Sequence, residues 1–186
     1  MSIVLVTGSC GLVGSEASAF FSEKGFDIIG IDNNSRKLFF GKDGDVSWVR
    51  RKLEKNIKNY KHYNIDISEP NAVKKIFKKY KKNIKLVIHS AAQPSHDWAK
   101  NNIFKDFDVN ARGTINLLEM TKNYCFDAPF IFMSTNKVYG DNPNKLPLVE
   151  KSTRWEIKNN HSFKNGITEN MSIDKCVHSF FGASKS

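Results

Sequence analysis

The residues Thr7-Gly8-Ser9-Cys10-Gly11-Leu12-Val13-Gly14 directly follow the apolar run Ile3-Val4-Leu5-Val6 and open a helical pattern. A buried strand, a glycine turn and a helix N-terminus together form a cradle for phosphate. Gly8 permits a tight turn off the strand. The missing Cβ at Gly11 leaves room for a pyrophosphate against the backbone, and Gly14 lets the helix pack closely on the strand. The spacing is G-x-x-G-x-x-G. A second apolar run, Ile28-Ile29-Gly30-Ile31, ends at Asp32, where a carboxylate would accept ribose hydroxyls. Glycine turn and carboxylate together point to nucleotide binding. Further reactive groups follow later apolar runs: Asp66-Ile67, Ser90-Ala91-Ala92-Gln93, Ser134 to Gly140, and Phe181 to Lys185. Small side chains at Ala91 and Ala92 would let a flat ligand lie near the backbone. Ser134, Thr135 and Tyr139 bring hydroxyls that could polarise a carbonyl.

The elements that must position these groups alternate strand and helix. The periodicity predicts strands over Ile3–Val6, Ile28–Ile31, Tyr63–Ile67, Ile84–Ile88 and Phe130–Met133. Helices are predicted from Leu12 to a stop at Gly25, around Val46–Lys55, from Pro70 after Ser68-Glu69, and over Phe104–Asn123 with Ile115, Leu118 and Met120 inward. A polar loop is expected after the second strand. Short, continuous apolar strands alternating with helices imply an α/β fold, a Rossmann-like doubly wound parallel sheet covered on both faces. It is expected as one domain over residues 1–186, apparently truncated after the fifth strand. The polar stretch Gly140–Asp174 reads as a long functional loop over the C-terminal ends of the strands.

With 186 residues, 40% hydrophobic and 12% aromatic, the chain can bury a core of its own. No apolar stretch approaches the roughly 20 residues that cross a bilayer. The N-terminus runs straight into a strand, with no basic leader or cleavage-site pattern, so a cytoplasmic location is expected. The three cysteines, Cys10, Cys125 and Cys176, lack metal-like spacing and read as reduced thiols. No metal site is expected. The net charge of +10 sits largely in Lys74 to Lys82 and in Arg50-Arg51-Lys52. Val73, Ile76, Phe77 and Tyr80 fall at helical spacing, which leaves those lysines on a solvated face. No zinc-finger, RNP or helix-turn-helix pattern accompanies them, so a nucleic-acid partner is not expected.

The glycine turn, Asp32, Asp66, Ala91-Ala92, Asn110 and Ser134-Thr135-Asn136-Lys137-Val138-Tyr139-Gly140 resemble the extended short-chain dehydrogenase/reductases, the NAD-dependent nucleotide-sugar epimerases and dehydratases. The run Ser134 to Asp141 and Ala91-Ala92-Gln93-Pro94-Ser95-His96-Asp97 look most like the CDP-paratose (CDP-tyvelose) 2-epimerase group. The resemblance runs from Ile3 to Lys185. It implies NAD as cofactor, with Gly8, Gly11 and Gly14, and Leu12 and Val13 between the last two, around the pyrophosphate. Asp32 would hold the adenosine ribose with Asn33 and Arg36 beside it. Asp66 and Ile67 would flank the adenine, and Ala91, Ala92 and Gln93 would pass along the nicotinamide. Asn110 would support the backbone of the active site. Thr135 would bond the sugar hydroxyl or ketone, and Lys185 the nicotinamide ribose. The implied partner is a nucleotide sugar, a CDP-sugar in the nearest group. No membrane partner is implied, and a homo-oligomer is open to the full-length form.

Two departures stand beside the resemblance. The family pairs its lysine with a tyrosine four residues earlier, the general base, but here that position is Phe181, which has no proton to exchange. Tyr139, Asp174 or Cys176 would have to supply a base instead. The chain also ends at Ser186, where family members continue through more strands and a substrate domain. Two readings therefore stay open: the cofactor-binding portion of a nucleotide-sugar epimerase, and a non-catalytic NAD- or nucleotide-binding module.

Overall fold

The computed structural model describes Ser2–Ser186 and divides into two compact units, one ending at Met133 and one running Ser134–Ser186. The first unit is built on a five-stranded parallel sheet of order β3-β2-β1-β4-β5. Its strands are β1 (Ile3–Thr7), β2 (Asp27–Ile31), β3 (Tyr60–Tyr63), β4 (Ile84–His89) and β5 (Phe130–Phe132). The helices are α1 (Leu12–Glu23), α2 (Ser35–Phe40), α3 (Ser47–Asn56), α4 (Pro70–Tyr80), α5 (His96–Asn101), α6 (Ile103–Phe107) and α7 (Gly113–Tyr124).

Every residue of β1 is buried because both sheet faces are covered. Ile3 and Leu5 pack with Ile76 and Phe77 of α4 and with Leu117 and Met120 of α7. Val4 and Val6 point the other way, into a cluster with Val49 and Leu53 of α3 and Ala17 and Phe21 of α1. This alternation is the physical content of a doubly wound sheet. On α4, Val73, Ile76, Phe77 and Tyr80 are buried and the lysines are exposed, as their spacing predicts. Among the described residues no helix is long and apolar enough to cross a membrane.

The structure corrects several expectations. β3 lies three residues earlier than predicted. Its pairing with β2 runs from Ile28↔Tyr60 to Ile31↔Tyr63, and the Asp32 N–H then bonds the Tyr63 carbonyl at 3.1 Å. Ile65 and Ile67, the more apolar signal, lie in the connection beyond the strand. On α7 the buried face is Asn116, Leu117, Met120 and Thr121, whereas Ile115 and Leu118 are exposed. A π-helical turn, Asp108–Arg112, precedes α7. The extra residue in such a turn rotates everything after it, so the simple period misplaces the face. The polar loop after β2 contains α2 and a 3₁₀ turn, Gly41–Gly44.

The second unit holds the hairpin β6 (Leu148–Glu150) and β7 (Trp155–Ile157), within the stretch expected as loop, and the short helix α8 (Phe180–Lys185). Its own hydrogen bonds hold it together: His178 Nε2 lies 2.7 Å from the Val138 carbonyl, and the Val177 N–H meets Asp141 Oδ1 at 2.8 Å. Contacts within the chain thus gather into these two units.

Candidate functional site

Strand order reverses beside β1, whose neighbours are β2 and β4, and the chain leaves β1 there through the glycine turn. Ligands of open α/β sheets gather beyond the C-terminal ends of the strands at such a reversal. A cavity of about 230 Å³ lies there, lined by Gly8, Gly11, Leu12, Val13, Gly14, Asp32, Asn33, Arg36, Asp66, Ile67, Ala91 and Ala92. Phe39, Val46, Ile65 and Met133, which sequence reasoning did not single out as site residues, complete its apolar walls. Their apolar character marks them only as core, and which of them face the cavity depends on the folded chain.

The three glycines do different work. Gly8 has φ +67°, and a Cβ there would lie 2.7 Å from the Ala91 N. The turn off β1 therefore demands glycine both for its backbone and for the close approach of the segment that follows β4. A Cβ on Gly14 would overlap the Gly8 carbonyl, so α1 can start this close to β1 only with glycine. A Cβ on Gly11 would meet only the Gly8 carbonyl, at 3.3 Å, so the fold itself leaves that side of the turn open. The first bond of α1 runs from the Ser15 N–H to the Gly11 carbonyl at 2.9 Å. The N–H groups of Leu12, Val13 and Gly14 lie ahead of it, at the positive end of the helix dipole. A pyrophosphate fits this donor set.

At the end of β2, Asp32 accepts the Cys10 N–H at 3.0 Å and the Asn34 N–H at 2.8 Å. One carboxylate oxygen thus holds the glycine turn and the other holds the loop into α2. Burial and the nearby Asp32 push the Cys10 thiol up to about 11, which keeps it protonated and unreactive. Asp66 is tied to Lys105 of α6 at 2.8 Å. Burial raises the Asp66 carboxyl, but hydrogen bonds from Lys105 and Ser68 outweigh it and hold the group below its ordinary value.

Ala91 lines the floor, where its N–H donates to Thr7 Oγ1 at 3.3 Å. Gln93, expected along the nicotinamide, is fully buried and is not among the residues that line the cavity. Its N–H donates to Asn110 Oδ1 at 2.9 Å and its Nε2 to Asp106 Oδ1 at 2.8 Å. Asn110 Nδ2 returns a bond to the Gln93 carbonyl at 3.3 Å. Gln93 and Asn110 therefore shape the loop after β4 rather than face the cavity. Asp106, a buried carboxylate in the same network, went unnoticed because nothing in its local pattern separates it from a surface acid.

Thr135 and Lys185 belong to the second unit. Thr135 Oγ1 accepts the Lys137 N–H at 3.3 Å and opens the 3₁₀ turn Asn136–Tyr139. Lys185 and Phe181 are both buried on α8, which Ser179 caps by accepting the Gly182 N–H at 3.1 Å. Of the groups considered as substitute bases, the Tyr139 hydroxyl donates to the Thr168 carbonyl at 3.3 Å. Asp174 accepts from the Ser172 hydroxyl at 3.1 Å, and Cys176 Sγ donates to the Ile173 carbonyl at 2.9 Å.

Comparison with known proteins agrees with this geometry. The NAD dependent epimerase/dehydratase family matches over residues 4–164. The chain is 33% identical to the CDP-paratose 2-epimerase of Salmonella typhi over 182 residues, covering 98% of this chain and 49% of that protein. It is 31% identical to the mouse UDP-glucose 4-epimerase, covering 95% of this chain and 49% of that protein. It thus spans about half the length of the curated relatives it matches. Among solved structures, the Thermus thermophilus UDP-glucose 4-epimerase in complex with NAD superposes with a TM-score of 0.66 at 25% identity, over 98% of this chain and 47% of that one.

Proposed function

The chain belongs to the NAD dependent epimerase/dehydratase family, and on that premise we propose that it is the N-terminal, cofactor-binding portion of a nucleotide-sugar epimerase acting on a CDP-sugar. The observation that carries the reading is the cavity in which the glycine turn, the start of α1 and Asp32 meet. The first-turn N–H groups and the dipole of α1 would hold the NAD pyrophosphate, and Asp32 the adenosine ribose. Arg36, Asn33, Asp66 and Ile67 would surround the adenosine end, with Ala91 and Ala92 toward the nicotinamide. The chemistry such a cofactor supplies is reversible hydride transfer. Thr135 would hold the sugar hydroxyl and Lys185 the nicotinamide ribose, roles that rest on the family resemblance. The CDP-sugar rests on the Salmonella relative.

A specific residue favours a second reading, a nucleotide-binding module without catalysis. Phe181 stands four residues before Lys185 on α8 and carries no exchangeable proton. A positioned acid–base group contributes roughly 10²–10⁴ in rate. Calorimetric titration with NAD and absorbance assays with CDP-paratose test both readings. NAD binding without interconversion is the expected result for this chain. No NAD binding overturns the cofactor assignment. Interconversion overturns the inference that Phe181 leaves the chain without its general base.

A further inference from the structure

Tyr60, the first residue of β3, places its hydroxyl 2.9 Å from Ser9 Oγ inside the glycine turn. It reaches that far because residue 30 is glycine. A Cβ on Gly30 would overlap the Tyr60 hydroxyl and lie 2.6 Å from Ser9 Oγ. Gly30 sits in regular β2, paired with Val6 on one side and His62 on the other, and its φ is not positive. The backbone there does not require glycine; the space does. Ser9 is fully buried and does not line the cavity, so its hydroxyl is turned into the protein toward Tyr60. The next residue, Cys10, gives its N–H to Asp32. The turn between Gly8 and Gly11 is therefore held at two consecutive residues, by a carboxylate that lines the cavity and by a phenol behind it.

We propose that Tyr60 is a positioning residue for cofactor binding, acting through Ser9 to hold the turn whose Gly8 and Gly11 line the cavity. The consequence for binding rests on the reading of that cavity as the NAD site. The hydroxyl, not the ring, carries the effect, since the ring packs against the core cluster that contains Val4, Val6 and Ile28 whether or not it bears oxygen. Burial pushes the phenol well above its usual range, so it stays neutral at any working pH.

Tyr60→Phe removes that hydroxyl alone. Hydrogen exchange over residues 8–11 reads the turn without cofactor, and calorimetric titration reads NAD binding. The expected result is faster exchange in the turn, unchanged exchange in β4, and NAD binding weakened about fivefold, the worth of one ordinary hydrogen bond. Ser9→Ala should match it, and the double variant should be no worse than either single one. Turn exchange and NAD affinity like those of the unaltered chain overturn the proposal. So do losses that add in the double variant, or faster exchange throughout the sheet, which would mark a general loss of stability. If the unaltered chain binds no NAD, the cavity reading fails, and the exchange of the turn alone decides whether Tyr60 holds it.

Discussion

Gly8, Gly11 and Gly14 share a residue type and an even spacing, yet the surroundings demand something different of each. Gly14→Val would drive a side chain into the Gly8 carbonyl. It should cost about 1–3 kcal/mol of stability, seen as a lower Tm, whether or not cofactor is present. Gly11→Val meets only one backbone oxygen at 3.3 Å, so its Tm should stay near that of the unaltered chain while NAD binding weakens at least about tenfold. A Gly11→Val chain that binds NAD normally would show that the cradle is misplaced. In the proposed site Asp32 would set the cofactor preference. Its carboxylate would accept ribose hydroxyls and repel a 2′-phosphate, so NAD should bind more tightly than NADP in calorimetric titration. Asp32→Asn should narrow that gap, with Arg36 in the cavity wall able to meet the added phosphate. Tighter binding of NADP by the unaltered chain would contradict the assignment. At this scale much of the site is legible in sequence, because glycines and a carboxylate at strand ends act through the local backbone. Gln93 is not. Its burial depends on Asp106 and Asn110, which come near it only in the folded chain.

The elements show where local pattern and neighbourhood part. α6 and the connection after β3 are joined by Lys105 and Asp66 across 39 positions of sequence. Asp66 titrates lower in the folded chain than its ordinary value. Its stabilising contribution is therefore fully present above the unfolded carboxylate range, about 4, and is lost as pH falls through the depressed folded value. Lys105→Met should lower stability at pH 7 by about 1 kcal/mol or less, since the pair is partly exposed. The difference from the unaltered chain should shrink as pH drops below about 4. Denaturant melts across pH check this, and a pH-independent difference would assign the effect to lost packing of the lysine stem. β1 and most of β2 and β4 are readable because strand residues buried on both faces of a sheet are apolar in a continuous run, Lys85 of β4 being an exposed exception. β3, at the sheet edge, reads Tyr-Lys-His-Tyr, and its apolar neighbours Ile65 and Ile67 mimic the strand they follow.

Across the whole molecule, some apolar surface stays uncovered. Phe104 on α6 is 88% exposed, Ile115 on α7 is 61% exposed, and β5 stands at the edge of its sheet. Exposed strand edges and contiguous apolar faces recruit further chains. Light scattering should show association that grows with concentration, and Phe104→Ser with Leu118→Ser should reduce it. A chain that stays monomeric at high concentration, with or without these changes, would contradict the expectation.

The amino-acid order alone determined the alternation of strands and helices, the glycine turn and the carboxylate at the end of β2. Each of these follows from short-range sterics, dipoles and the burial of a continuous apolar run. It also carried the α4 pattern, whose lysines lie opposite its buried face. Tertiary structure decided the rest. The phase of α7 was set by a π-helical turn ahead of it, and the start of β3 by register against β2. The reason for Gly30 was supplied by a phenol thirty residues later. Such features depend on which distant groups share a space, and no local period records that.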